Sequence, residues 1–228
     1  MSEHPPHDDD VEYTDDPAEA LGYTDYDWDT LDDDEVALHD AILDMSLEEL
    51  DSLDVEALTD LQRWAAAQSL SDHDEEARFL ELALRLVHNP EGHPALDYGE
   101  IGVEILNDYL LVEQWDDATE LLKAVTPLVT DDPHFSARFT AIIAMLSGAV
   151  EDGLEAFQHL IDNAGEDAML LLAIAEDLIS VEAFDAARGV LEEAELLGKR
   201  DKDGDVVNGV AEARAFMQQV IDEVGEEG

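Results

Sequence analysis

The chain reads as an all-α solenoid of helical hairpins behind an acidic N-terminal tail. Three observations predict this. Apolar residues recur at three- and four-residue steps from residue 34 to residue 224, the period of one face of an α-helix. No stretch of useful length alternates apolar and polar residues as a strand does. Small residues recur in four successive helix pairs, at places where two helices must cross closely. With 228 residues, 46% of them hydrophobic, the chain can bury one such domain and still carry a tail.

Residues 1–33 hold thirteen acidic residues and no Lys or Arg, and Pro5, Pro6 and Pro17 break helix there, so the reading is a disordered tail. Within it Leu21-Gly-Tyr-Thr-Asp-Tyr-Asp-Trp28 interleaves aromatics with Asp. It is either a solvated segment or a short motif that docks in a groove, its own or a partner's. The domain spans 34–228. Leu38, Ala41, Ile42 and Met45 predict a helix over 34–45, and Ser46 with Glu49 forms a capping box that opens a short helix over 46–53. Asp54 is placed to cap a helix running to about Leu70, and Ser71-Asp72 to open its partner through Ala77, Leu80, Ala83, Leu84 and Val87. Asn89-Pro-Glu-Gly-His-Pro94 is a loop.

Tyr98 to Thr130 then predicts two helices back to back. Ile101, Ile105, Tyr109 and Val112 line the first; Ala118, Leu121, Leu122, Val125 and Val129 line the second, with Asp116-Asp117 placed to cap it. Pro127 should end or kink that helix. A third pair is expected over 133–147 and 150–163, turning at Gly148, and a fourth over 166–181 and 184–198, closed by Gly198. After a loop over 199–205, Val206, Val210, Ala213, Met217, Val220 and Val224 predict a last helix, 206–224, that caps the solenoid.

Aligned on an Ala of each second helix, four units anchor at Ala77, Ala118, Ala156 and Ala187. Twelve residues earlier stand Ala65, Leu106, Ala144 and Ala175, preceded by Trp64, Ile105, Ile143 and Ile174; Leu122, Leu160 and Leu191 follow four residues after the last three anchors. Over roughly residues 55–200 the pattern resembles the tetratricopeptide repeat. Tyr109, Trp115, Ala118 and Leu122 stand where that family places two aromatics, Ala and a large apolar residue, and Phe184, Ala187, Leu191 and Ala194 repeat much of it. The family's early Trp-x-x-Leu-Gly is absent, and the anchors lie 41, 38 and 31 residues apart rather than at ~34. The resemblance implies a non-enzymatic module whose first helices line a groove for a protein or peptide partner. Gln62, Glu100, Val103, Asn107, Arg138, Met145, Leu172 and Glu176 would line it. Arg138 either pairs with a nearby acid or orients a carboxylate of the ligand.

Sixty acidic residues against ten basic ones, only three of them Lys, set a formal charge of −50. The excess runs through every helix rather than one tail. At 1 M ionic strength the screening length falls to ~3 Å, which makes such self-repulsion tolerable. The composition resembles proteins of extreme halophiles, implying a halophilic archaeal source. Like charge disfavours binding to a nucleic-acid backbone. The absence of Cys excludes disulfide and thiol chemistry. No apolar run reaches the ~20 residues that span a bilayer. Met1–Asp10 has no basic or apolar region of a signal peptide, so a cytoplasmic location is expected.

Asp201, Asp203, Asp205 and Glu212 stand at positions 1, 3, 5 and 12 of a stretch resembling an EF-hand calcium loop, although Val206 and Asn208 replace its glycine and its aliphatic residue. The other reading is a capped turn between helices, and no cofactor is expected. His4 and His7, and His88 and His93, lack the spacing of a zinc site. No nucleophile elbow, Walker loop or Rossmann fingerprint is present. Besides the interaction module, two functions stay open: a calcium-stabilised module through 201–212, and an acidic chaperone for basic proteins. Monomer and homo-oligomer are equally open.

Overall fold

The computed structural model describes residues 31–226, with side chains as far as Asp222. Residues 1–30 of the tail reading, with its aromatic segment, His4 and His7, lie outside the described residues, whereas its last three residues belong to the domain: Leu31 packs on the core and Asp32 caps a helix that begins at Asp33. Among those described there are eleven α-helices and no strand. In order they are α1 (Asp33–Leu43), α2 (Leu47–Asp51), a 3-10 turn (Val55–Ala57), α3 (Asp60–Asp72), α4 (Glu76–His88), α5 (Tyr98–Leu111) and α6 (Trp115–Val125). They continue with α7 (Phe135–Leu146), α8 (Val150–Ala164), α9 (Ala168–Ser180), α10 (Phe184–Asp201) and α11 (Gly204–Glu226).

Four hairpins, α3–α4, α5–α6, α7–α8 and α9–α10, pack in sequence, α1 lies on α3, and α11 covers α9 and α10. Their turns share one geometry. Asp74, Glu113, Gly148 and Glu182 each take a left-handed conformation, with φ of 61°, 60°, 91° and 60°. In three of them the next N–H reaches back five residues: Glu75 to the Leu70 carbonyl (2.9 Å), Gln114 to Tyr109 (2.8 Å) and Ala183 to Leu178 (2.8 Å). This C-cap satisfies carbonyls the helix end would leave open.

The shared turn corrects the repeat register. Five residues beyond each left-handed residue stand Phe79, Ala118, Gly153 and Ala187, not Ala77 and Ala156. Ala77 is exposed and Ala156 half-buried. Twelve residues before the corrected anchors stand Ala67, Leu106, Ala141 and Ala175, and all four are 0% exposed. A Cβ on Gly153 would lie 2.6 Å from Met145 Cγ, so a side chain as small as hydrogen marks the α7–α8 crossing. The last three anchors follow at 35 and 34 residues.

Several boundaries move for local reasons. Asp54 stands before the 3-10 turn and makes no side-chain cap bond there; α3 opens at Thr59, whose Oγ1 accepts from Gln62 N–H while Gln62 Oε1 accepts from Thr59 N–H. The helix then runs through Ser71 and Asp72, so α4 starts only at Glu76. Gln114, not Asp116 or Asp117, is the N-cap of α6; the two acids sit in its first turn, where the helix dipole favours them. Gly198 does not close α10. It lies inside the helix, at a contact so close that a Cβ there would meet Val206 Cγ1 at 2.8 Å, and the turn shrinks to Lys202 and Asp203. Pro127 does follow the end of α6, and Glu49 accepts from Ser46 N–H and Oγ at 2.9 and 2.6 Å.

The core is built in two stretches. One runs from Ile42 through Leu86, Ile105 and Val125 to Ile143, the other from Ala141 through Phe157, Leu178 and Leu191 to Met217. Leu110 and Phe139 pack against both, which joins them across α7.

Candidate functional site: an arginine-rimmed slot on the first hairpin

Residues 47–57 lie along the first hairpin and leave a slot of about 170 Å³. Its floor is apolar. Leu50, Ala66, Leu70 and Leu82 are buried there, and Leu53 and Val55 half-buried. Arg78, Glu81, Leu82 and Arg85 fall at three-, four- and seven-residue spacings, so one face of α4 supplies the wall. Arg78 pairs with Asp51 (2.8 Å), and Arg85 with Glu56 (2.6 Å) and Glu81 (3.3 Å). Both guanidinium side chains remain 39% exposed at the rim. Bonding to Glu56 raises the Arg85 pKa further. Sequence reasoning missed this site. Its signal was the Arg78–Leu82–Arg85 spacing beside Leu50 and Leu53.

A buried polar network holds the end of the hairpin next to Arg85. Asp60, 1% exposed, opens α3. Its Oδ1 accepts from Arg63 Nη1 at 2.7 Å, and its Oδ2 from Tyr98 Oη at 2.6 Å and Glu91 N–H at 2.7 Å. Tyr98 Oη in turn accepts from His93 N–H at 2.7 Å, so the loop 89–97 is tied to Asp60 twice, directly through Glu91 and by way of Tyr98 through His93. Burial, then the Asp60 carboxylate, pushes the Tyr98 hydroxyl up to about 12. A second cavity of about 350 Å³ opens beside this loop, lined by Pro94–Gly99 and Leu128.

The residues expected to line a groove along the first helices are only partly brought together. Glu100 and Asn107 are exposed on α5, with Val103 half-buried between them. Burial first, then neighbouring carboxylates, raises Glu104 and Asp108 on the same helix, so this face is anionic. Gln62 is used in the cap of α3. Met145 packs on Gly153, and Leu172 is 6% exposed beneath Gly209 of α11. Glu176 is exposed, its pKa raised by partial burial and by Asp177.

Arg138 takes the first of its two readings. Its Nε and Nη2 donate to the two oxygens of Asp177 on α9, at 2.6 and 2.9 Å, and Nη1 to Asp132 at 2.9 Å. The planar fork thus ties α7 to α9. Burial raises the Asp177 carboxyl, and Arg138 draws it part of the way back.

In the 201–212 stretch, Asp201 ends α10 and pairs with Arg200 at 2.8 Å. Asp203 Oδ1 accepts from Asp205 N–H and Val206 N–H at 3.1 and 3.3 Å, which makes it a cap for α11. Val206 is fully buried, and Glu212 lies further along α11. Among the described residues no group of three or more His, Cys, Asp or Glu is placed to hold a metal ion. No helix among them is long and apolar enough to cross a membrane. Comparison with protein-family models, curated proteins and solved structures finds no match to the chain.

Proposed function

We propose that the chain is a non-enzymatic protein-interaction module, a tetratricopeptide-like scaffold of a cytoplasm at molar salt, which captures a peptide segment of a partner. The carrying observation is the slot: an apolar floor between the 47–57 segment, α3 and α4, with two half-exposed arginines on its rim in a chain of ten cations. Apolar side chains would fill the floor, and carboxylates of the segment would meet the guanidiniums, whose planar donors suit them. The corrected anchors lie 39, 35 and 34 residues apart, and the last two spacings, close to the ~34-residue period of tetratricopeptide repeats, support that architecture. The charge of −50 supports the high-salt setting.

The test is a peptide-display selection against the full chain in molar KCl. Selected peptides should bind at least about tenfold more weakly to Arg78→Gln/Arg85→Gln and normally to Val103→Asp/Asn107→Arg. The reverse pattern would move the site to the α5 face. Failure to select any peptide would sink the reading. Binding that only strengthens steeply as salt falls would favour the acidic-chaperone function instead.

A further inference from the structure

We propose that α1 is an acid-released clasp on the first hairpin, and that protonation of His39 opens it. This stands apart from what the slot binds: it concerns the helix that leads into the slot's 47–57 wall.

The first argument is how little else holds α1. Of its 11 residues only His39 and Ile42 are buried, each 2% exposed. Val36 and Leu43 are half-buried, and Leu38 points its side chain largely to solvent. A helix with so small an apolar seat stands at the low end of local stability, and one of its two anchors is a titratable ring.

The second argument is what surrounds that ring. At the start of α1, Glu35 Oε1 lies 3.7 Å from His93 Nε2, in the loop tied through Tyr98 to Asp60 at the start of α3. At the other end the Leu43 carbonyl accepts from Ser69 Oγ at 3.1 Å, and the Met45 carbonyl lies 3.0 Å from His73 Nε2. Helix α1 therefore runs along α3 in the same direction, and His39 falls opposite its middle. That part of α3, Trp64-Ala-Ala-Ala-Gln68, has no charged side chain. The titratable groups of α3 stand at its two ends: Asp60 paired with Arg63 at 2.7 Å, then Asp72 and His73. From the loop 89–97 come Glu91, His93 and Asp97, of which His93 faces Glu35. On α1 itself Asp40 Oδ1 lies 3.4 Å from His39 Nδ1, but the Asp40 side chain is 63% exposed, so its charge is well solvated. An imidazolium at His39 would thus meet one screened carboxylate and otherwise uncharged surface, which opposes the charged form. Burial accordingly holds the His39 pKa below its ordinary 6.5, and Asp40 draws it only part of the way back.

A base whose pKa is lower in the closed form than in the open form favours closure at high pH. That advantage is lost as pH falls through 6.5 toward the closed value. A released His39 takes up its proton near 6.5, so the opening equilibrium should rise several-fold, and at most about tenfold, between roughly pH 7.5 and 5.5. His93 acts in the opposite sense, because its protonation would strengthen the pairing with Glu35. Met45 and Ser46 join α1 directly to the 47–57 segment, so opening frees one end of the slot's wall.

The test is amide hydrogen exchange of the full chain in molar KCl, expressed as protection factors at about pH 7.5 and 5.5. The amides of α1 should lose several-fold to about tenfold in protection at the lower pH, while those of α8 keep theirs. His39→Phe and His39→Gln, one apolar and one polar, take up no proton and should abolish the loss; His93→Gln should retain it. Unchanged protection of α1 in the native chain, or the same loss in the His39 variants, would overturn the proposal. Nuclear magnetic resonance titration of the His39 ring protons needs no variant: a value below 6.5 is expected, and one at or above 6.5 would overturn it as well.

Discussion

Replacing Asp60 with Asn should destabilise the fold by about 3–5 kcal/mol, the range for removing one partner of a buried ion pair. The substitution keeps the shape of the side chain and opens no cavity, so the loss isolates the polar network. Two carboxylate oxygens now serve three donors, from Arg63, Tyr98 and Glu91. Asn has one oxygen. It can serve either Arg63 or the Tyr98–Glu91 side, and its amide then confronts donors with a donor. Arg63, with a side chain 11% exposed, would keep only the Leu58 carbonyl at 2.9 Å. A hydrogen bond to a charged group contributes ~1.5–3 kcal/mol, so losing two agrees with the ion-pair range. At ~2–4 °C per kcal/mol for a chain of this size, the melting temperature should fall by ~6–20 °C. Urea unfolding in molar KCl at neutral pH, followed by far-UV circular dichroism, measures the change. Tyr98→Phe removes one donor and the acceptor of His93 N–H, and should cost ~1–3 kcal/mol. The double variant should cost less than the sum, with a coupling of ~0.5–3 kcal/mol. A loss below ~1 kcal/mol for Asp60→Asn, or strict additivity with Tyr98→Phe, would refute the network.

Two further predictions address the repeat and the acidic face. Ala187→Leu should overpack the α9–α10 crossing and cost ~1–3 kcal/mol, whereas Ala156→Leu, half-buried and off the crossing, should change stability by less than ~0.5 kcal/mol; equal losses in urea melts would undo the corrected register. Glu104 and Asp108 are raised by burial and by neighbouring carboxylates, so the folded chain binds their protons more tightly than the unfolded chain. Their contribution to stability therefore rises as pH falls through the folded values, and levels off below the unfolded values of 4.5 and 3.8. Glu104→Gln/Asp108→Asn should accordingly melt above the native chain at pH 7, with the gap closing toward pH 4.5. A gap that widens on acidification would show that the two carboxylates are not raised.

Helix content was legible in the sequence because each helix buries one face, and a 3.6-residue period in apolar residues records that burial locally. The pairing into four hairpins was legible for the same reason: Asn89–Pro94, Pro127 and Gly148 interrupt the period where the chain must turn. Other features depend on what crosses space. Gly198 reads as a helix stop, yet it is a contact point for Val206, eight residues away. The repeat register was misread because any small residue can stand at a crossing, and only the left-handed turn residues Asp74, Glu113, Gly148 and Glu182 show that Gly153 is the third anchor. Arg138 was legible as a scarce cation but not as the fork that joins Asp132 and Asp177, since the latter lies 39 residues away. The slot was the least legible feature. Leu50, Leu53, Arg78 and Arg85 each look like ordinary helix-face residues, and they become one site only where residues 47–57 fold back along α3 and α4. Periodicity is a property of neighbours along the chain, so the sequence by itself determined the all-helical class and the hairpin order. Which faces meet depends on steric fit between distant residues, and that the tertiary structure alone decided.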